Sequence, residues 1–231
     1  MLPSVTVVDY GMGNLLSVVR AFEHCGARVL LTSSPADISA ASYLVLPGVG
    51  AFADGMSGLR KLQLIKPIRN YAESGRPFLG ICLGMQMMLD SSEEFGVHEG
   101  LGLISGRVVP IPPVGLDEIP HRIPHVGWNG LVKPAVKSDW NNSILSGVRE
   151  GTSVYFVHSF AAYQVSEDNR LADTLYDGVR ISAAIRSGKL YGCQFHPEKS
   201  GPAGLGIIAE FLDLHIQDDL ECDKMVVNGG W

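Results

Sequence analysis

The chain alternates short apolar runs, each ended by glycine or proline, with stretches of helical period. Residues 5–10 form a β-branched run that stops at Gly11-Met12-Gly13-Asn14. Residues 15–24 then put Leu15, Val18, Val19 and Phe22 on one helical face, and Cys25-Gly26 ends it. Residues 27–32 are a second apolar run. Residues 43–47 are a third, closed by Pro47-Gly48-Val49-Gly50. Residues 62–74 carry Leu64, Ile65, Ile68 and Ala72 at helical spacing, after which 78–81 form a strand running straight into Cys82. An apolar helix over 83–89, with Met85, Met88 and Leu89 inward, is expected next. Strand, helix, strand repeated in this way predicts an α/β fold with an open, mixed, mainly parallel sheet flanked by helices. Ligands of such sheets gather outside the carboxyl ends of the strands. The glycine-rich turns at 11–14, 48–50 and 80–84 lie at those ends.

The texture changes after residue 106. Pro110, Pro112, Pro113, Pro120, Pro124 and Pro134 break residues 106–139 into short pieces, read as antiparallel hairpins and loops appended to the main sheet. Residues 154–160 read as one strand. Two more, at 179–186 and 190–195, are joined through Ser187-Gly188-Lys189. A final helix over 205–215 presents Ile208, Phe211 and Leu212 along one face. One domain, residues 1–216, is expected, with a short, polar, loosely held tail at 217–231 to which no role is assigned.

Composition narrows the chemistry. With 231 residues, 46% of them hydrophobic, the chain can bury one complete core. Its 18 lysines and arginines against 24 acids give a net charge of −6, without the basic stripe of a nucleic-acid groove. Anionic membranes are equally poor partners for an acidic surface. The N-terminus has no positive n-region and no apolar run reaches a membrane span, so neither signal peptide nor membrane anchor is expected. Four irregularly spaced cysteines suggest neither a disulfide framework nor a metal site, and the cytoplasm is the expected compartment.

Cys82 stands in Gly80-Ile81-Cys82-Leu83-Gly84, the G-x-nucleophile-x-G form of a strand-to-helix elbow. A residue in such a turn needs glycines on either side to leave room for the crossing backbone. At a helix N-terminus the dipole and free N–H groups favour a thiolate. That nucleophile needs an imidazole, and the imidazole needs a partner to fix its tautomer. His196-Pro197-Glu198 follows the strand at 190–195. Pro197 is expected to keep the segment extended or turned, so that Glu198, two residues on, lies on the same side as His196. A strand-end cysteine or a His-Pro loop is ordinary structure when alone. Together they point to Cys82 as nucleophile, His196 as base and Glu198 as its orienter. His125 and His158 lie in distinctive local sequence, whereas His98, His121 and His215 read as surface residues. No group of ligands has zinc spacing, no glycine turn ends in the Lys-Ser/Thr of a P-loop, and no cofactor is expected.

Pro47 to Gly50, Gly80 to Gln86 and His196-Pro197-Glu198 together resemble the class I (triad) glutamine amidotransferases, which have a flavodoxin-like fold. Asp9 to Leu15, Pro124 to Asn129, Tyr155 to Phe160 and His196 to Ser200 narrow the resemblance to the glutaminase subunits of imidazole glycerol phosphate synthases. The likeness spans residues 5–214. It implies that Cys82 attacks the glutamine amide, that His196 protonates the leaving ammonia and that Glu198 orients His196. It also implies an oxyanion hole from backbone N–H groups at Val49, Gly50 and Leu83, the Val49 peptide having to reorient to complete it. Gly50, Gln86, His158 and Ser159 match glutamine-binding positions. The implied partner is a separate (β/α)₈ cyclase that receives ammonia and makes imidazole glycerol phosphate and aminoimidazole carboxamide ribonucleotide, serving histidine biosynthesis. This chain is too short to hold that barrel. Trp128, Tyr155 and Lys199 are candidate interface residues. The competing readings are a glutaminase subunit of another ammonia-channelling synthase, or a non-catalytic flavodoxin-like regulatory subunit.

Overall fold

The computed structural model describes residues 2–135 and 139–228, with side chains of the last helix described as far as Leu214. The first half runs β1 (Ser4–Val8), α1 (Leu15–His24), β2 (Arg28–Thr32), α2 (Pro35–Ala40), β3 (Tyr43–Gly48), α3 (Phe52–Lys61), α4 (Ile65–Glu73), β4 (Phe78–Cys82) and α5 (Leu83–Met87). Strands dominate the second half: β5 (Ser91–Ser92), β6 (His98–Glu99), β7 (Arg107–Pro110), β8 (His125–Val132), β9 (Ser153–His158), β10 (Phe160–Tyr163), β11 (Arg170–Tyr176), β12 (Val179–Ser187) and β13 (Leu190–Cys193). A 3₁₀ turn (Pro197–Lys199) and α6 (Gly201–Asn228) follow.

The main sheet has nine strands in the order β2-β1-β3-β4-β13-β12-β11-β8-β9. From β2 to β13 neighbours are parallel, and from β13 to β9 they are antiparallel. This is the open, mixed α/β sheet that the sequence pattern predicts. Successive side chains of a strand point to opposite faces, and here each face meets its own core. Val5, Val7, Tyr43, Val45, Leu79 and Ile81 pack with Phe22 of α1 and Ile207, Ile208 and Phe211 of α6. Leu44, Leu46 and Phe78 pack with Phe52 and Met56 of α3 and Ile68 and Tyr71 of α4. Burial on both faces is why β3 and β4 read as unbroken apolar runs.

The second half differs from expectation in its pairing. The stretch 106–139 does not fold into hairpins of its own on the main sheet. Its β7 belongs to a separate four-stranded sheet, order β10-β7-β5-β6, antiparallel to β10 and parallel to β5. Its β8 joins the main sheet between β11 and β9, and residues 136–138 lie outside the described residues. The run expected as one strand over 154–160 is two strands, because the chain leaves the main sheet at Ser159 and enters the second one as β10. The last helix starts at Gly201 rather than 205, and its backbone is helical to Asn228. The Cys222 side chain and residues 229–231 lie outside the described residues.

A buried histidine pair locks β8 to β9. His125 stands opposite His158 in the ladder, and both are buried. The Leu175 carbonyl can only accept, so the Asn129 amide donates one N–H to it (3.2 Å) and the other to His125 Nε2 (3.0 Å). His125 therefore carries its proton on Nδ1 and donates to His158 Nε2 (3.0 Å). His158 in turn donates from Nδ1 to the Phe160 carbonyl (2.9 Å). Every ring nitrogen is satisfied with both rings neutral. Burial pushes His158 down to about 3, against the favourable Phe160 carbonyl and with help from His125 and His196. Burial likewise pushes His125 down to about 4, although Asp177 pulls the other way.

Unfolded, both histidines would titrate near pH ~6.5. Their folded values lie lower, so the unfolded chain binds more protons below that point and stability falls as the pH drops. Each ring costs up to about 1.4 kcal/mol per pH unit until its folded value is reached. Urea unfolding midpoints measured from about pH 7 to about pH 4.5 should therefore fall more steeply in the native sequence than in the His125→Asn/His158→Gln double variant. Equal slopes would show that the pair does not oppose protonation.

Candidate active site

Strand register assembles the site. The ladders pair Gly48 with Cys82 and Cys193 with Ile81, which brings Gly48, Cys82 and Gln194 abreast at the carboxyl ends of β3, β4 and β13. Cys82 has φ 54° and ψ −109°, a left-handed region that strains an L residue by roughly 1–3 kcal/mol. Glycines make the turn possible. A Cβ on Gly80 would lie 2.8 Å from the Met85 nitrogen, one on Gly192 would lie 2.6 Å from Met85 Cγ, and one on Gly84 would collide with the Leu46 carbonyl. The helix that follows, α5, ends at Met87, sooner than the expected 83–89. It starts at Leu83, so its leading N–H groups have no partner within the helix and face the nucleophile's end.

His196 lies just past β13. Its N–H donates to the Tyr155 carbonyl (2.9 Å). Ser200 Oγ donates to the His196 carbonyl (2.7 Å) and accepts the Tyr155 N–H (3.0 Å), pinning this corner to β9. Of the two geometries expected for this segment, extended or turned, the structure has the turn. Pro197–Lys199 is a 3₁₀ turn with Pro197 in its first position, where a missing N–H leaves no bond unmade. The turn carries Glu198 back, and Glu198 Oε1 accepts from His196 Nδ1 at 2.8 Å. The expected contact is therefore present, reached through the turn. Both side chains are 2% exposed.

With Nδ1 committed to Glu198, Nε2 is the nitrogen left for Cys82. It is buried and outside hydrogen-bonding geometry, yet near enough for the thiolate to act on its charge. Burial alone would push the imidazolium down. The Cys82 thiolate and the Glu198 carboxylate outweigh burial and lift His196 to about 9.

A cavity of about 380 Å³ opens at Cys82. Val49, Gly50, Leu83, Gln86, His158 and Ser159, the residues expected around the oxyanion and the glutamine, all line it. His196 and Glu198 are not among its lining residues. Gly50 has φ 98°, and a Cβ there would lie 2.7 Å from the Met12 methyl. Tyr10 donates its buried hydroxyl to the Pro47 carbonyl (2.8 Å), so the loop at 9–14 packs onto the turn at 47–50.

Two site residues escape the sequence reading. Glu94 lines the cavity, and its Oε2 accepts the Phe52 N–H at 2.6 Å, closing the start of α3. Nothing in Ser91-Ser92-Glu93-Glu94 separates one acid from the other until the two-residue strand β5 is seen. Gln194, fully buried, places its amide nitrogen 3.8 Å from Cys82 Sγ. Its signal is its register beside the nucleophile. His121, expected at the surface, has a side chain only 3% exposed and stacks on Tyr176. Away from the cavity, Trp128 and Tyr155 pair across β8 and β9 with rings 6.0 Å apart, and Lys199 Nζ lies 6.0 Å from the Tyr155 ring. Trp128 is 56% exposed.

Cys25 and Cys193 are free thiols, both pushed up by burial. Among the described residues no group of three or more His, Cys, Asp or Glu side chains could hold a metal ion. Nor is any helix among them long and apolar enough to cross a membrane.

The family Glutamine amidotransferase class-I matches residues 6–214. Imidazole glycerol phosphate synthase subunit HisH 1 of Legionella pneumophila (strain Lens) is 58% identical over 213 residues, 92% of this chain and 100% of that one. The HisH subunit of Geobacillus sp. (strain WCH70) is 43% identical over 91% of this chain and 96% of its own. In fold, PurLQS of Thermotoga maritima superposes with a TM-score of 0.69 at 21% identity, covering 92% of this chain and 99% of the matched one. The chain belongs to the class I glutamine amidotransferases, in the branch of the imidazole glycerol phosphate synthase HisH subunits.

Proposed function

We propose that this chain hydrolyses L-glutamine to L-glutamate and ammonia through a thioester on Cys82, and passes the ammonia to a separate (β/α)₈ cyclase. The observation that carries this reading is His196 held between Cys82 and Glu198 beside a cavity large enough for an amino acid. Burial opposes it, but Cys82 on one side and Glu198 on the other raise His196 above its ordinary value, which favours the protonated ring as the acid of this reading. The thiolate attacks the amide carbon, and the negative charge moves to the amide oxygen. That charge exists only in the transition state and intermediate, so fixed N–H donors at Leu83 and the Val49-Gly50 turn act selectively there. The imidazolium gives its proton to the departing nitrogen, and the C–N bond breaks as ammonia leaves. Neutral His196 then takes a proton from water, which attacks the thioester and releases glutamate. Glu198 keeps the ring oriented throughout.

The cavity fits the substrate's polar groups. Gln86 spends its amide nitrogen on the Phe160 carbonyl and on Gln194, which leaves Oε1 to accept a substrate N–H. Glu94 spends one oxygen on Phe52, which leaves the other for the α-ammonium. His158, Ser159 and Gly50 close the rest. The relatives' names, subunits of imidazole glycerol phosphate synthases, support a partner subunit and a place in histidine biosynthesis; on this reading the partner is a cyclase that makes imidazole glycerol phosphate and aminoimidazole carboxamide ribonucleotide, and the compartment is the cytoplasm. Trp128, Tyr155 and Lys199 form the face offered to it.

Cys82→Ala should lower glutaminase turnover by roughly 10⁴-fold or more while leaving cyclase binding intact; retained turnover would sink the assignment. The turn at Val49 rests on the loop at 9–14 without a side chain at Gly50 to fix it. Glutamine turnover by the chain alone should therefore be low and rise when the cyclase and its nucleotide ligand are added. Equal turnover with and without them would end the gating idea. Trp128→Ala should weaken cyclase binding about tenfold by titration calorimetry, and unchanged affinity would move the interface elsewhere.

A further inference from the structure

The buried side chain of Gln194 has no part in the chemistry above, although it touches the nucleophile. It follows Cys193, the β13 residue paired with Ile81, so the register sets Gln194 beside Cys82. Its backbone N–H is bonded to the Ala183 carbonyl (2.9 Å), which fixes the residue in place. The side chain is 0% exposed. Its amide has two ends with different neighbours: Oε1 lies 3.1 Å from Gln86 Nε2, and Nε2 lies 3.8 Å from Cys82 Sγ.

Which end faces the sulfur is decided one residue further away. The Phe160 carbonyl can only accept, and Gln86 reaches it at 3.0 Å, so the Gln86 amide nitrogen must point that way. The second N–H of that same nitrogen is then presented to Gln194, which can meet it only with Oε1. Gln194 is left with Nε2 toward Cys82. Reversing the Gln194 amide would set two N–H groups against each other inside the core and leave the Gln86 donor unsatisfied. The polarity therefore runs in one direction, from a backbone carbonyl to the sulfur.

We propose that Gln194 is a positioning residue of the nucleophile, its amide N–H donating to the Cys82 thiolate and holding Sγ in line with the cavity. An N–H donor on this side is chemically distinct from His196. The imidazolium gives its proton away during each turnover, whereas an amide keeps its proton and stays a donor through attack, thioester formation and hydrolysis. As a thiol, Cys82 Sγ donates to the Val157 carbonyl (4.0 Å), an acceptor that repels the sulfur once it is a thiolate. Gln194 is the neutral group that offsets that repulsion. The same contact has a second consequence. Through Oε1 the residue steadies Gln86, so one side chain aligns both the sulfur and a wall of the cavity.

The inference rests on Cys82 being the nucleophile, and the test separates the two claims. Gln194→Glu keeps the shape and the acceptor for Gln86 but puts a carboxylate oxygen where the donor was. Gln194→Met keeps the bulk and loses both ends. The readouts are steady-state glutaminase kinetics in the complex with the cyclase, and the rate at which iodoacetamide labels Cys82, followed by peptide mass spectrometry. For Gln194→Glu, kcat should fall roughly 10- to 100-fold with KM within about threefold, and Cys82 labelling should slow about tenfold. For Gln194→Met, KM should rise as well, because Gln86 loses its anchor. A carboxylate beside the sulfur slows labelling by its charge as well, so Gln194→Met, which removes the donor without adding charge, decides: a residue that merely filled space would leave kcat and the labelling rate unchanged in it, and wild-type values for both in folded Gln194→Met overturn the proposal. Thermal melts of both variants accompany the kinetics, and if Gln194→Met does not fold, wild-type kcat in a folded Gln194→Glu overturns it equally. A fully active Cys82→Ser enzyme would instead refute the reading on which the proposal stands.

Discussion

The positive φ of Cys82 is held by close packing at three glycines, where α5 and the neighbouring strands leave no room for a Cβ. At Gly84 the helix comes so close to β3 that a single methyl would strike the Leu46 carbonyl, and at Gly80 a methyl would strike α5 itself. On the other side Gly192 admits Met85 against β13. The strain at Cys82 persists because relieving it would require these layers to separate, with loss of apolar contacts on both sides of the sheet. The same closeness puts Gly48, Cys82 and Gln194 side by side and brings the start of α5 to the sulfur. The elbow is therefore both a tightly packed point of the fold and the place where the proposed chemistry begins.

The second sheet gives that point a wall. By leaving the main sheet at Ser159, the chain turns the Phe160 carbonyl inward, where it accepts from both His158 and Gln86. One acceptor thus sets the direction of two hydrogen-bond chains. One runs through the neutral histidine pair to Asn129 on β8, and the other runs through Gln86 and Gln194 to Cys82. Buried polar chains of this kind are stable only when every member is satisfied. The requirement explains why residues as unlike as Asn129 and Gln194 are placed with such economy.

What could be read from the sequence follows from how local each signal is. Doubly covered strands such as β3 and β4 announce themselves by uninterrupted apolar runs, and α1 by its one-sided face. The glycine spacing around Cys82 is legible because the elbow needs it within five residues. By contrast α3 carries Gly55 and Gly58, poor helix formers, because it lies against Met87 and Tyr10 with no room for a Cβ. Strand β11 hides for another reason. Its Asp173 is fully buried between Arg170 and Arg180, so a charged residue interrupts what would otherwise look like a core strand. Ser159 gives no sign that the chain changes sheets there, since the apolar pattern continues across it. The His196–Glu198 contact was legible and its backbone path was not: Pro197 is as compatible with a 3₁₀ turn as with an extended segment. Glu94 and Gln194 depend on register between distant strands, which no local pattern encodes.

The two sides of the cavity are held by different physics, and that difference bears on how a partner could act. On the β8–β9 side, His125, His158 and Phe160 form a closed set of short hydrogen bonds, and displacing any one of them strands a buried polar atom at a cost of about 1–3 kcal/mol. On the Val49–Gly50 side, the turn is restrained by the Tyr10 hydroxyl at Pro47 and by the Met12 methyl resting over a glycine. Glycine can exchange one φ for another at little steric cost, and a methionine side chain is flexible enough to follow it. A docking partner that pressed on β8 would have to break a satisfied network before anything moved. One that shifted the loop at 9–14 would move the turn directly, through the Tyr10 hydroxyl that joins the two at the Pro47 carbonyl. The softer of the two sides is the one proposed to carry the oxyanion donors, so on that reading a modest interaction outside the cavity governs the barrier inside it.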